Sequence, residues 1–499
     1  MYLLGYDLGS SSVKASLVDG TSGVTIASSK FPESEMEIIS KEESWAEQEP
    51  VQWWQNIIAV THKLLANSNI SPADIKSIGI AYQMHGLVVV DKDQNVLRPA
   101  IIWCDSRAVE IGNHAFANIG EEKCLAHHLN SPGNFTASKL KWVKENEPEI
   151  YNKIHKIMLP GDFIAMKMSN EITTTITGLS EGIFWDFKNE SISDIILNEY
   201  EIDKNLIPDI VDCFSIQAIL SAGASKVLGL AAGTPICYRA GDQPNNALSL
   251  GVYKPNELAA TGGTSGVIYG VVDQAKYDLE SRVNGFAHVN HSPENPHIGL
   301  LLCINGAGIQ YSWSKHQLGN SDLSYFDLEK MATEVAIGSD GLRIIPFGNG
   351  AERILCNLST GAQVNNLQFN RHEQKHFYRA SLEGIAFSFN YGFDVMKKLG
   401  LEPSVIKVGN DNLFQSTIFS TTVASLLNVN IEVYDTNGAS GAAKASGVAI
   451  GVYSNIEEAF ASLKKESIIH PEKDIEAYAA AYEIWSSDLK ALVENKTKV

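Results

Sequence analysis

Short apolar runs broken by glycine and serine recur along the chain and set its predicted elements. Residues 2–6, 13–18 and 24–28 read as a meander of three strands. Trp45-Ala-Glu-Gln48-Glu-Pro50 then leads into a helical pattern over 51–65. Residues 75–81 are β-prone and end in Gln83-Met84-His85-Gly86; 87–91 follow, and Ile101-Ile-Trp103-Cys-Asp105 ends another strand. Residues 136–147 carry helical periodicity, with Thr136 placed to cap it ahead of Leu140, Trp142 and Val143. Residues 234–240 form a strand that stops at Gly241-Asp242-Gln243-Pro244. Beyond it, 376–395 read as a helix, 405–408 as a strand ending at Gly409-Asn410-Asp411-Asn412, and 416–427 as a helix. A strand at 430–434, a small-residue turn and stretch from Gly438 to Gly447, and a helix at 476–495 complete the chain. Strands alternating with helices predict an α/β protein with polar groups at strand ends.

Two of the turns are alike. Asp7-Leu-Gly9-Ser10-Ser11-Ser12 joins the first two strands, with Lys14 just beyond. Thr261-Gly262-Gly263-Thr264-Ser265-Gly266 joins the β-prone runs near 258 and 272. Turns of this composition point backbone N–H groups and hydroxyls at one spot and form an anion nest. Two nests half a chain apart predict two similar domains, 1–246 and 247–499, clamping one polyphosphate.

The candidate chemistry gathers at the same strand ends. Asp7 immediately precedes the first nest, where a carboxylate could hold a hydrated Mg²⁺ beside phosphates. Asp242 follows a strand and Gly241. It could serve as a general base, or as a helix N-cap, or as both. Gln83, Met84, His85 and Gly86 offer polar groups and open backbone to a polyol. Trp103 could pack a sugar face, and Asp105 could accept its hydroxyls; each alone reads as core packing or a satisfied buried group, and jointly they read as a small-molecule pocket.

Composition narrows the partners. The chain has 499 residues, 39 basic and 58 acidic, for a formal charge of −19. Such a chain repels nucleic acid and anionic membrane. Six scattered cysteines, no basic-apolar leader and no apolar run of roughly 18 residues fit a cytoplasmic protein.

These residues resemble the FGGY family of carbohydrate kinases, from Met1 to about Tyr453. The phosphate motifs match at Asp7-Leu-Gly9-Ser10-Ser11 and Gly263-Thr264-Ser265-Gly266. A family signature matches at Phe135-Thr-Ala-Ser-Lys139-Leu-Lys-Trp142-Val. The resemblance implies two actin-like (ribonuclease H-like) domains of the sugar kinase/actin/Hsp70 type around a central cleft, with sugar on the first and adenosine on the second. It implies ATP and Mg²⁺, a small ketose or polyol, and Asp242 as the catalytic Asp of the family's Gly-Asp step, with Gln243 beside it at the sugar. It admits a homodimer. Gln83-Met84-His85-Gly86 and the segment from Trp45 to Trp54 are similar to members acting on D-xylulose, which implies D-xylulose 5-phosphate as product. The adenosine motif departs from Gly-Gly-Gly-Ala-x-Ser: here Gly409, Asn410 and Asn412 stand, with Gly438 further on, as the expected adenosine contacts. Ala351-Glu352-Arg353-Ile354 replaces Gly-Glu-Arg-Thr, and Asn365-Asn366-Leu367 the usual Gly-Leu step.

Two readings compete. His372-Glu373-Gln374-Lys375-His376 matches a zinc-hydrolase pattern, but its flanks are polar where such helices are apolar. A non-catalytic nucleotide switch on the same fold would need neither a sugar pocket nor Asp242. A P-loop is excluded, because G-x-x-x-x-G-K-[S/T] does not occur.

Overall fold

The computed structural model describes residues 1–319 and 323–497. Two mixed sheets organise it. The first contains β1 (Tyr2–Leu8), β2 (Val13–Asp19), β3 (Thr25–Phe31), β4 (Ile75–Tyr82), β5 (Phe214–Ile219) and β6 (Pro235–Gly241), ordered β5-β6-β4-β1-β2-β3. The second contains β7 (Glu257–Gly262), β8 (Gly266–Val272), β9 (Asn284–Ala287), β10 (Ile298–Ile304), β11 (Val405–Gly409), β12 (Asn430–Tyr434) and β13 (Lys465–Ile469). Its order is β9-β10-β8-β7-β11-β12-β13.

Both sheets are built on one plan. β1, β2 and β3 form an antiparallel meander, and β4 and β6 add in parallel on the other side of β1. Likewise β7, β8 and β10 are antiparallel, and β11 and β12 add in parallel beside β7. The unit β3-β2-β1-β4-β6 therefore recurs as β10-β8-β7-β11-β12, with the same order and directions. This is the ribonuclease H-like unit of actin-type proteins, present twice, as the paired nests predict. Each nest is the tight turn of its own meander.

Helices fill the layers around the sheets. α1 (Pro50–Ser68) starts with Pro at N1 and lays Trp53, Ile57, Val60 and Leu64 on the first sheet. Burial of such side chains contributes about 1.5–3 kcal/mol each. The Tyr6 hydroxyl meets Thr61 Oγ1 at 2.7 Å across this interface. α2 (Thr136–Asn146) begins one residue earlier than the cap reading requires. Phe135 holds the cap position, so Thr136 is its first helical residue rather than its cap. α3 (Ile176–Glu181) is capped by Thr175, whose hydroxyl accepts from the Gly178 N–H.

α4 (Asp242–Ser249) follows β6 directly, with Gly241 at its cap. Asp242 is thus the first helical residue and not the N-cap. α6 (Gln374–Lys398) lies on β8 and β10 of the second sheet, and α5 (Gly308–Leu318) packs against α6. α7 (Gly438–Ala449) is a full helix, capped by Asn437 through the Ser440 N–H, where a turn was expected. It lies on β1 and β4 of the first sheet. The boundary expected at residue 247 falls inside α4, and α4 meets α7 between the sheets through Asn245 Nδ2, which donates to Gly438 O at 2.9 Å.

The strand expected to end over Ile101–Asp105 is short. Only Ala100–Ile101 pair, with Glu47–Gln48, before the chain turns. Trp103 and Asp105 therefore ride on a loop. No helix among the described residues is long and apolar enough to cross a membrane.

Candidate active site

The β1–β2 turn closes on itself through Gly9 N–H to Ser12 O at 3.0 Å. Gln48 Nε2 donates to Ser10 O at 2.7 Å, and Met36 N–H donates to Ser11 O at 2.8 Å, so Ser10 and Ser11 are held by their carbonyls. Asp7 stands opposite Lys14 in the β1–β2 register. Burial raises the Asp7 pKa, with Lys14 pulling the other way. The β7–β8 turn of Gly263, Thr264 and Ser265 is braced by the start of α5: Gly308 N–H donates to Gly263 O at 3.1 Å and Ile309 N–H to Thr264 O at 3.0 Å. A Cβ on Gly308 would lie 2.2 Å from Gly263 O, so only glycine permits this approach. Gly306-x-Gly308, which has no dinucleotide fingerprint around it, thus has a packing reason.

Asp242 is half-buried at the start of α4. Burial and the nearby Asp7 charge raise its pKa to about 7, against hydrogen bonding from the adjacent Gln243. A carboxylate so poised takes up a proton readily near neutral pH. Gly241 packs tightly: a Cβ there would lie 2.5 Å from Met84 Cγ and 2.6 Å from Glu181 Oε2. The loop after β4 therefore reaches the same spot. Within it, Gln83 is buried and its Nε2 donates to Gln48 Oε1 at 3.1 Å. His85 has a φ of +60°, and its Nδ1 lies 2.9 Å from the Glu181 carbonyl. A carbonyl only accepts, so Nδ1 carries the proton. Burial lowers the His85 pKa to about 3, so the ring is neutral and Nε2 is an acceptor. Gly86 is pressed against Pro160.

Trp103 is 53% exposed and directs Nε1 to Ser10 Oγ at 3.4 Å, which leaves its face open to the cleft. Asp105 is placed otherwise than expected. It is fully buried, and its carboxylate accepts from Ala46 N–H at 2.6 Å, Arg107 N–H at 2.9 Å and the Arg107 guanidinium at 2.7 Å. Those bonds occupy the oxygens that a sugar hydroxyl would need. Arg107 in turn lies 3.7 Å over the Trp45 ring and 4.7 Å from that of Trp142. Asp105 is therefore an organiser of the loop that bears Trp103.

The second half closes over this end. Edge strand β9 is fastened to the first half by Asn130, which exchanges two bonds with Gly285 at 2.6 and 3.1 Å, and by Ala287 N–H to Ser180 Oγ at 2.9 Å. Phe286 on β9 comes 5.4 Å from the His85 ring and 5.9 Å from Phe135. Sequence reasoning missed Phe286 and Glu181. A phenylalanine on a short edge strand and a buried glutamate carry no local signature.

A cavity of about 570 Å³ runs from Gly263 and Thr264 past Gly308 and Ile309 to Tyr325, Phe326, Asn412 and Ser416. Of the expected adenosine contacts, Asn412 lines it. Gly409, Asn410 and Gly438 do not. Asn410 Nδ2 donates to Glu466 at 2.7 Å, and Gly438 sits against Asp7. The aromatic wall of Tyr325 and Phe326 was not foreseen, because no motif marks it.

His372 and His376 have structural tasks. His372 Nδ1 accepts from Gln368 N–H and His376 Nδ1 from Glu373 N–H, each at 3.0 Å, at the start of α6. Glu373 points to solvent, with its side chain 71% exposed. Among the described residues, no group of three His, Cys, Asp or Glu side chains could hold a metal ion. Mg²⁺ makes a different demand, since it keeps several waters and takes one or two carboxylates together with phosphate oxygens. Asp7, at the end of β1 beside the first turn, can supply such a carboxylate.

Two ribonuclease H-like units, each with a glycine-rich turn between its first two strands, place the chain in the actin-like class. Residues 2–249 match the N-terminal domain of the FGGY family of carbohydrate kinases, and the chain belongs to that family. It is 27% identical to the xylulose kinase of Bacillus subtilis over 97% of this chain and 96% of that protein. It is 29% identical to that of Escherichia coli over 96% of each. Its fold matches the crystal structure of xylulose kinase from Rhodospirillum rubrum, with a TM-score of 0.90, 23% identity and 99% of both chains covered. Glycerol kinase of Plasmodium falciparum with ADP gives 0.89, at 20% identity and 98% coverage of both. The protein is an enzyme that phosphorylates a carbohydrate at the expense of ATP, which sets aside the switch and zinc-hydrolase readings.

Proposed function

We propose that the sugar is a ketose, D-xylulose, converted to D-xylulose 5-phosphate, with Asp242 as general base. The observation that carries the reading is Asp242 itself, at the mouth of α4, with a pKa near 7 beside the Met84–Gly86 loop and the Asp7 nest. The choice of D-xylulose draws on the xylulose kinases that match this chain along nearly its whole length. Sugar lies against residues 1–246, between Met84, His85, Gly86, Trp103 and Gln243. Nucleotide lies against 247–499, along the cavity lined by Thr264, Tyr325, Phe326 and Asn412.

Asp242 Oδ takes the proton of the sugar hydroxyl as that oxygen bonds to the γ-phosphorus. The bond from that phosphorus to the β,γ-bridging oxygen breaks, ADP leaves, and the proton stays on Asp242 until product departs. Backbone N–H groups of Gly9–Ser12 and Gly263–Ser265 offset phosphate charge, and Lys14 adds a positive group. Mg²⁺ would be held by Asp7 together with phosphate oxygens, where it supplies charge neutralisation. Phosphoryl transfer needs little covalent work from protein, so positioning and charge dominate. Closure of the cleft excludes water and limits wasteful ATP hydrolysis.

The test is ADP release with ATP–Mg²⁺ over a panel of D-xylulose, other ketoses, glycerol and gluconate. The reading expects D-xylulose to give the highest kcat/KM. A higher value for any other compound would reassign the substrate.

A further inference from the structure

We propose that Lys139 is a positioning residue for the sugar, whose buried ammonium fixes the spacing of the two loops lining the sugar end of the cleft. The proposal rests on reading that end as the sugar site. Lys139 lies early in α2 and is fully buried. Its Nζ donates to His85 O at 2.8 Å and to Ile102 O at 3.0 Å. The first carbonyl belongs to the loop after β4. The second immediately precedes Trp103.

Those loops already meet at a backbone bridge, where Leu87 and Ile101 exchange bonds of 2.9 and 3.2 Å. Lys139 carries the tie further toward the cleft. It also pins a strained residue. His85 stands in the left-handed region, which a non-glycine residue adopts only under strain. The Glu181 carbonyl holds its Nδ1 and Lys139 holds its carbonyl, so ring and backbone are both fixed. The Nε2 lone pair then has one direction.

A buried lysine is an unfavourable way to satisfy two loop carbonyls, since an ammonium loses its hydration there. Burial draws its pKa down to about 7, with Asp105 and Cys104 opposing and Arg107 adding to the fall. Asp105 is the carboxylate that organises the Trp103 loop. One small cluster of buried charge thereby sets both walls of the pocket without lending any group to the sugar. The sequence signature that contains Lys139 shows the residue but not these partners, which lie 54 and 37 positions away along the chain.

Two variants test this. Lys139→Met removes the donor at similar length, and Lys139→Gln keeps a neutral donor. Lys139→Met should raise the KM for the sugar about tenfold or more, leave the KM for ATP within about twofold, and flatten the preference among ketoses. Lys139→Gln should fall between parent and Lys139→Met; if Lys139→Met does not fold, Lys139→Gln decides on the same two KM values. A readout independent of turnover is alkylation of Cys104 by iodoacetamide, followed by peptide mass mapping with Cys356 as internal reference. Both cysteines are exposed, and loosening the Trp103 loop should speed Cys104 severalfold relative to Cys356. Equal rises in both KM values, or an unchanged sugar KM with an unchanged Cys104 rate, would overturn the proposal. If the parent turns over no sugar, the reading of the site fails, and the alkylation ratio still decides whether Lys139 ties the loops.

Discussion

Gly438 lies directly against Asp7. A Cβ at position 438 would stand 2.7 Å from Asp7 Oδ2 and 2.8 Å from Asn246 Oδ1. The start of α7 is therefore a wall of the Asp7 site. Gly438→Ala should displace the Asp7 carboxylate, lower kcat about tenfold or more and raise the Mg²⁺ concentration needed for half-maximal rate. Affinity for nucleotide without Mg²⁺, measured by calorimetry, should change little. An unchanged Mg²⁺ requirement would remove Asp7 from the metal's surroundings.

The acidity of Asp242 gives a pH signature. Its pKa is raised to about 7 by burial and by Asp7, and a base works only when deprotonated. The kcat/KM for sugar should thus rise with pH up to about 7 and level off above. Asp7→Asn removes a neighbouring negative charge, so the carboxylate form of Asp242 becomes easier to reach. The rising limb should then move to lower pH, whatever the loss in absolute rate. A limb that stays in place or moves upward contradicts the coupling.

Asp105 should report on stability before it reports on sugar. Its carboxylate is buried among Ala46, Arg107 and the Trp45–Trp142 pair, and Glu47 bridges Arg107 and Arg98 behind it. Removing one member of a buried ion network costs about 3–5 kcal/mol. Asp105→Ala should lower the free energy of unfolding by that amount in a urea titration. A rise in sugar KM without loss of stability would return Asp105 to direct sugar contact.

The contact of α7 with the first sheet depends on glycine. A Cβ at Gly79 would lie 2.0 Å from Ala442 O, and at Gly5 1.9 Å from Ala439 O. Gly79→Ala should destabilise the protein by about 2–3 kcal/mol, read as a lowered midpoint of denaturation. No change would mean that α7 sits farther from β4.

Much of this was legible in the chain. Asp7 with Gly9–Ser11, Gly263–Ser265 and Gly241-Asp242 announce themselves, because a tight turn needs particular residues at fixed offsets. The double ribonuclease H-like plan was visible only through those turns. Its paired strands, such as Tyr2–Leu8 and Glu257–Gly262, keep order and direction while most of their residues differ. Asp105 misled for a related reason: a strand-end carboxylate reads the same whether it faces sugar or Arg107. Gly438 was read as an adenosine contact since small residues permit close approach, but the approach is to Asp7 and comes from a helix packed across the two halves. The family signature shows Lys139 but not its role, and Glu181 was silent, because their partners are backbone carbonyls and a histidine ring remote in sequence.

The most direct measurement compares the parent enzyme with Asp242→Asn in one assay, ADP release from ATP–Mg²⁺ with D-xylulose. Asparagine keeps the size and place of the side chain and removes its basicity. The account predicts brisk, sugar-dependent turnover by the parent and a kcat at least about 10²-fold lower in Asp242→Asn, with both KM values little altered. Turnover by Asp242→Asn at the parent rate would contradict it.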